Sequence, residues 1–134
     1  MKRVAMGSVV AVSMVLSAVA WAGYKGSVPT TVSRAADGSG YAYGNLGHAR
    51  NSANAVEYIF CSVTASAGTT TQSMGCSAIN AAGVAVGCYS YDEKLIRAAA
   101  AVGTDGQIYF TWDASSLCKI LQVTHGSHLE PKAP

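Results

Sequence analysis

The feature that most limits how this chain can fold is its set of four cysteines, Cys61, Cys76, Cys88 and Cys118, spaced 15, 12 and 30 residues apart. None forms the close Cys-x-x-Cys pair that zinc ribbons use, so the spacing points to two disulfides and away from a metal site. Disulfides persist in an oxidising compartment, and the N-terminus supplies a route there. Met1-Lys2-Arg3 is a positive start, Val4 to Ala18 is apolar apart from Gly7 and three serines, and Ala20-Trp21-Ala22 is a small-x-small site. Together they read as a signal peptide over residues 1–22, cleaved after Ala22, with cleavage after Ala20 as the alternative. The competing reading is an uncleaved anchor, since Val4 to Ala22 is 19 residues. The serines interrupt that run, however, and no basic stop-transfer cluster follows it. The short leader points to a bacterial protein, periplasmic or secreted, with no membrane association after cleavage.

Charge narrows the function classes. From residue 23 the bases are Lys25, Arg34, Arg50, Lys94, Arg97, Lys119 and Lys132, against Asp37, Glu57, Asp92, Glu93, Asp105, Asp113 and Glu130. A balanced, scattered set of this kind lacks the electrostatic footprint of a nucleic-acid or anionic-membrane binder. Length allows one small domain, expected as a monomer. The chain divides into the leader, an irregular Gly/Ser/Thr-rich arm at 23–40, a disulfide-stabilised β-rich domain at 41–128, and a loose Pro-bearing tail at 129–134.

The clearest pattern lies in 56–91. Val56 to Ala65, Gln72 to Ile79 and Val84 to Tyr91 have strand-like composition and are separated by turns near Gly68-Thr69 and Ala82. Centring the hairpins there sets Cys61 opposite Cys76 and Cys76 opposite Cys88. Ile59, Ala78 and Val86 then form the next row on the cysteine side, with Val63 and Met74 beyond, as a core face. The reverse side carries Tyr58, Phe60, Tyr89 and Tyr91 among Ser73, Gly75, Ser77 and Gly87. Two strands apart, Cys61 and Cys88 would be about 9.5 Å distant, beyond the roughly 7 Å reach of a disulfide. The register therefore favours Cys61–Cys76 with Cys88–Cys118, and keeps Cys76–Cys88 with Cys61–Cys118 as the rival.

A short helix is expected after the meander. Ser90 and Glu93 have capping-box spacing, and Leu95, Ala98, Ala99 and Val102 make one apolar face before Gly103. Gln107 to Asp113 alternates, with Ile108, Phe110 and Trp112 on one side and Tyr109 and Thr111 on the other. With a turn at Ser115-Ser116, Phe110 faces Leu121 and Ile108 faces Val123. That register points Cys118 away from the Phe110 face, so either both faces of this hairpin are buried or a bulge reorients Cys118. The expected fold class is α+β, mainly β: an antiparallel meander, one short helix, a C-terminal hairpin and two disulfides.

No nucleophile-elbow, zincin, Ser-x-x-Lys or phosphate-loop motif is present, and nothing implies a cofactor. His125-Gly126-Ser127-His128 with His48 supplies imidazoles for a metal rival, but without a third fixed ligand the pair reads instead as a polar strand end running into a tail. His48 and Glu57, with Arg50 and Arg97, supply the residue types of a small secreted hydrolase of nuclease kind, an alternative that requires His48 to meet Glu57 in a pocket. The favoured class is a non-enzymatic interaction module. Tyr41 and Tyr43 share one strand face, Tyr89 and Tyr91 another together with Tyr58, and surplus tyrosines of this kind anchor protein or glycan partners. That reading requires the arm at 23–40 to leave Tyr58, Tyr89 and Tyr91 uncovered.

The run Gly47-His48-Ala49-Arg50-Asn51-Ser52-Ala53, followed by Tyr58-Ile59-Phe60-Cys61 and later by Tyr109-Phe110-Thr111-Trp112 and Cys118, resembles a group of small exported bacterial proteins. The resemblance spans roughly residues 44–132. It implies export and the cysteine framework, and no activity.

Overall fold

A computed structural model describes residues 23–131 and 133, so the leader lies outside the described residues. Seven strands and two short helices follow in the order β1 (Thr31–Arg34), β2 (Gly40–Asn45), α1 (Leu46–Asn51), β3 (Tyr58–Ala65), β4 (Gln72–Ile79), β5 (Ala85–Ser90), α2 (Glu93–Ala100), β6 (Gln107–Trp112) and β7 (Cys118–Thr124). They form two antiparallel sheets. One is the meander β3-β4-β5; the other has the order β1-β2-β6-β7. The meander and both helices are thus inserted between β2 and β6, neighbours in space that lie far apart in sequence.

The meander has the expected register, with Cys61 opposite Cys76 and Cys76 opposite Cys88. The bridges are Cys61–Cys76 and Cys88–Cys118. The first staples a hairpin whose ladder already joins it. The second ties the two sheets together, beside a single parallel bridge between Tyr89 and Leu117. A bulge between Thr111 and Trp112 resolves the expected conflict: Phe110 faces Leu121 and Ile108 faces Val123, yet Trp112 faces Cys118. The extra residue on β7 turns Cys118 inward, where it is buried.

Both sheets and both helices feed one buried cluster that includes Ile59, Met74, Ala78, Val86, Ile96, Ile108, Phe110 and Trp112. Its shape follows from small residues set against large ones. On the inner face of β2, Gly40, Ala42 and Gly44 lie opposite Trp112, Phe110 and Ile108 of β6. At Gly40 an added Cβ would come within 2.7 Å of the Trp112 ring, so the absent side chain is what makes room for the indole.

Several expectations need correction. The arm at 23–40 contains β1, which pairs with β2 across a turn where Asp37 Oδ1 accepts the Ser39 N–H at 2.9 Å; composition alone hid a strand whose partner is its own hairpin mate. The tail is anchored. Leu129 is buried and bridged to Gly26, and the Asn51 side chain holds both the Pro131 carbonyl and the Ala133 N–H. The run at 44–52 holds an unanticipated helix, α1, capped by Asn45 accepting the His48 N–H at 2.7 Å. The cap of α2 is Asp92, which accepts from Lys94 and Leu95, while Ser90 instead accepts the Asp92 N–H. The expected face does pack inward, with Ala99 in the core and Leu95 and Val102 against it, and Ile96 joins them as a second buried position. Val63, expected in the core, is exposed, because it lies toward the open end of an edge strand.

Candidate functional site

The alternation of β3, β4 and β5 turns one set of side chains outward. Three rows cross the sheet: Tyr58–Ile79–Ala85, Phe60–Ser77–Gly87 and Ser62–Gly75–Tyr89. Tyr58 and Phe60 stand as a pair with ring centroids 5.7 Å apart, and Tyr89 packs edge-on to Tyr91 at 6.1 Å. The pairs occupy opposite corners. From strand geometry they are separated by about 13 Å along the strands and about 9.5 Å across them. Between them the floor is made of Gly75, Gly87, Ser73 and Ser77, so nothing tall interrupts the diagonal. No strand residue in this sheet is charged.

The face is open. Tyr58 is 38% exposed, Phe60 45%, Tyr89 47% and Tyr91 62%. The described part of the arm pairs with β2 in the other sheet and leaves these rings uncovered. A cavity lies at each end of the diagonal. One, of about 330 Å³, is lined by Leu46, Ala49, Arg50, Glu57, Tyr58 and Phe60; the other, of about 390 Å³, by Tyr91, Gln72, Thr71, Glu93 and Arg97 among others.

Tyr41 and Tyr43 lie elsewhere, on the outer face of the four-stranded sheet. Their rings are 6.3 Å apart and nearly parallel, and Tyr109 stacks 6.2 Å from Tyr41. Tyr41 is exposed and Tyr43 half-buried. The five tyrosines singled out from sequence thus belong to two separate surfaces. Phe60 and Tyr109 complete those surfaces; both already fell on the outward side of their alternating strands.

His48 and Glu57 do come together. His48 Nε2 lies 3.6 Å from Glu57 Oε1, and His48 Nδ1 lies 2.5 Å from Ser27 Oγ and 3.5 Å from Glu130 Oε2. Glu57 is buried and accepts hydrogen bonds from the Thr30 N–H and, at 3.0 Å, from Asn54 Nδ2. Burial pushes its carboxyl up, but the Thr30 and Asn54 donors more than offset this and hold it below the ordinary value, helped by the imidazole. Glu130 is likewise lowered, by the side chains of Asn51 and Ser27 and by His48. Neither Ser27 nor Glu130 carried any sequence signal, since the arm and the tail meet at α1 only in the folded chain.

The histidines do not share a site. His125 Nε2 is 3.1 Å from the Ala101 carbonyl at the end of α2, whereas His48 meets Ser27, Glu57 and Glu130. Among the described residues no group of three His, Cys, Asp or Glu side chains is placed to hold a metal ion. Around His48 the reason is geometric: the two carboxylates approach opposite ring nitrogens and have no common point. Among the described residues no helix is long and apolar enough to cross a membrane. No protein family, curated protein or solved structure matches the chain.

Proposed function

We propose that this protein is an exported binding module, periplasmic or secreted, that holds a neutral glycan chain against the diagonal from Tyr58 and Phe60 to Tyr89 and Tyr91. The observation that carries the reading is an uncharged, open sheet face with ring pairs at its corners and a Ser/Gly floor between them. Aromatic faces are electron-rich and attract the weakly positive C–H faces of sugar rings, while tyrosine hydroxyls and floor serines meet sugar hydroxyls. The strands contribute no charge, and the cations at the two ends, Arg50 and Arg97, each share their cavity with a carboxylate, Glu57 and Glu93, which disfavours anionic polymers. A protein partner would be better served by a central, contiguous anchor cluster, whereas here the rings sit apart over a polar floor. Two disulfides fit the oxidising compartment in which such polymers are met.

The test is retention of the exported form on insoluble cellulose, chitin and β-1,3-glucan, followed by titration with soluble oligosaccharides of whichever polymer retains it. Tyr58→Ala and Tyr89→Ala are each expected to weaken binding about tenfold, as loss of one anchor contact of about 1–1.5 kcal/mol implies. Tyr24→Ala, at an exposed ring beside Gly26 and outside the meander strands, should leave binding unchanged. Failure to bind all three polymers, or binding indifferent to Tyr58 and Tyr89, would overturn the proposal.

A further inference from the structure

The geometry points to a second, independent property: Ser27 is a nucleophile with His48 as its general base, in a site that takes acyl esters. The parts of an activated serine are present on three elements that only the fold assembles. Ser27 Oγ lies 2.5 Å from His48 Nδ1, within the reach required of a nucleophile and its base. The other ring nitrogen faces Glu57, whose oxygens are fixed by the Thr30 N–H and Asn54. The reactive tautomer carries its proton at Nε2, toward Glu57, and turns its Nδ1 lone pair to the Ser27 hydroxyl.

Glu130 adds an argument that a simple structural latch does not require. Its Oε1 accepts from Asn51 at 3.0 Å, and its buried Oε2 lies beside the Ser27 and His48 side chains. That oxygen lies 3.5 Å from His48 Nδ1. Its negative charge therefore stands beside Nδ1 when that nitrogen takes the proton of Ser27. The imidazolium then has one carboxylate facing each nitrogen, so the charge formed during attack is met on both sides.

Position is also fixed. Gly26 donates to the His128 carbonyl at 2.5 Å and accepts from the Glu130 N–H at 3.1 Å, and the Val28 carbonyl accepts from Asn45 at 3.0 Å. The backbone is pinned on both sides of Ser27, yet Ser27 itself is exposed. His48 is carried by the capped first turn of α1 and retains a solvent-facing portion. In the reaction, Ser27 Oγ bonds to the carbonyl carbon of the ester while its proton passes to His48 Nδ1. The C–O bond to the leaving alcohol breaks as His48 returns that proton to it. Water, deprotonated by the same nitrogen, then cleaves the acyl-serine, releasing a carboxylic acid and restoring Ser27.

The test uses diisopropyl fluorophosphate and p-nitrophenyl acetate on the exported form. One phosphoryl adduct per chain is expected, mapped by peptide mass to Ser27, together with hydrolysis whose rate rises as the imidazole loses its proton. Ser27→Ala should abolish the adduct, and His48→Gln should slow labelling by at least 100-fold. Glu57→Gln, acting on a positioning residue, should displace the pH profile. No adduct at Ser27 in the folded wild-type protein overturns the proposal without recourse to any variant. So does Ser27→Ala hydrolysing the ester at the wild-type rate.

Discussion

Removing the two disulfides one at a time should have unequal effects, and the topology says which matters more. In the loop-entropy description, a bridge across 15 residues such as Cys61–Cys76 contributes about 3.0 kcal/mol, and one across 30 residues such as Cys88–Cys118 about 3.6 kcal/mol. The native state widens that gap. Cys61 and Cys76 sit opposite each other inside a continuous ladder running from Tyr58–Ile79 to Ala65–Gln72, so the hairpin stays aligned without its bridge. Between β5 and β7 the backbone contact is the Tyr89–Leu117 bridge, with the Tyr89 N–H donating to the Ser116 carbonyl at 3.1 Å. Paired variants C61A/C76A and C88A/C118A, unfolded in urea, should therefore both lose stability, with the second losing more by at least about 0.6 kcal/mol. Amide exchange should accelerate in β7 and at the end of β5 for C88A/C118A, and be confined to the β3–β4 hairpin for C61A/C76A. The opposite order of stabilities, or unchanged exchange in β7 after loss of Cys88–Cys118, would refute the claim that this bridge is the seam between the sheets.

Two further outcomes follow from the packing and the electrostatics. Gly40→Ala would place a Cβ 2.2 Å from the Ser33 carbonyl oxygen and 2.7 Å from the Trp112 ring; overpacking should cost about 1–3 kcal/mol and alter the Trp112 fluorescence, and an unaltered urea midpoint would show that β2 can yield there. Glu57 and Glu130 are both held below the ordinary carboxyl value of 4.5 in the folded chain. Their ionised forms therefore contribute stability that is present above about pH 4.5 and is lost as the pH falls through their lowered values. A plot of Tm against pH should fall on the acid side and fall less for Glu57→Gln; parallel curves would place the effect elsewhere.

Much of the meander was legible because its signals are local. Alternation and two short turns suffice to set Cys61 opposite Cys76 and to turn Tyr58, Phe60 and Tyr89 outward, since a strand has a period of two and a hairpin fixes its own register. The hairpin β6–β7 was half legible. Phe110–Leu121 follows from alternation, but the bulge that brings Cys118 inward answers to a covalent demand from Cys88, a residue 30 positions away. The helix start was less legible because Ser90, Asp92 and Glu93 all suit a helix N-terminus; in the fold Asp92 accepts from Lys94 and Leu95, while Ser90 accepts the Asp92 N–H.

What the residues alone determined, then, is the disulfide-braced and mainly β character of the chain, and which rings its sheets turn outward. What only the tertiary structure decided is how distant segments meet. The insertion of the meander between β2 and β6, the separation of the tyrosines into two surfaces, and the convergence of Ser27, His48, Glu57 and Glu130 all depend on contacts across tens of residues. Such contacts leave no periodic trace in sequence, because their free energy comes from burying a shared core and not from the conformational preference of any one segment.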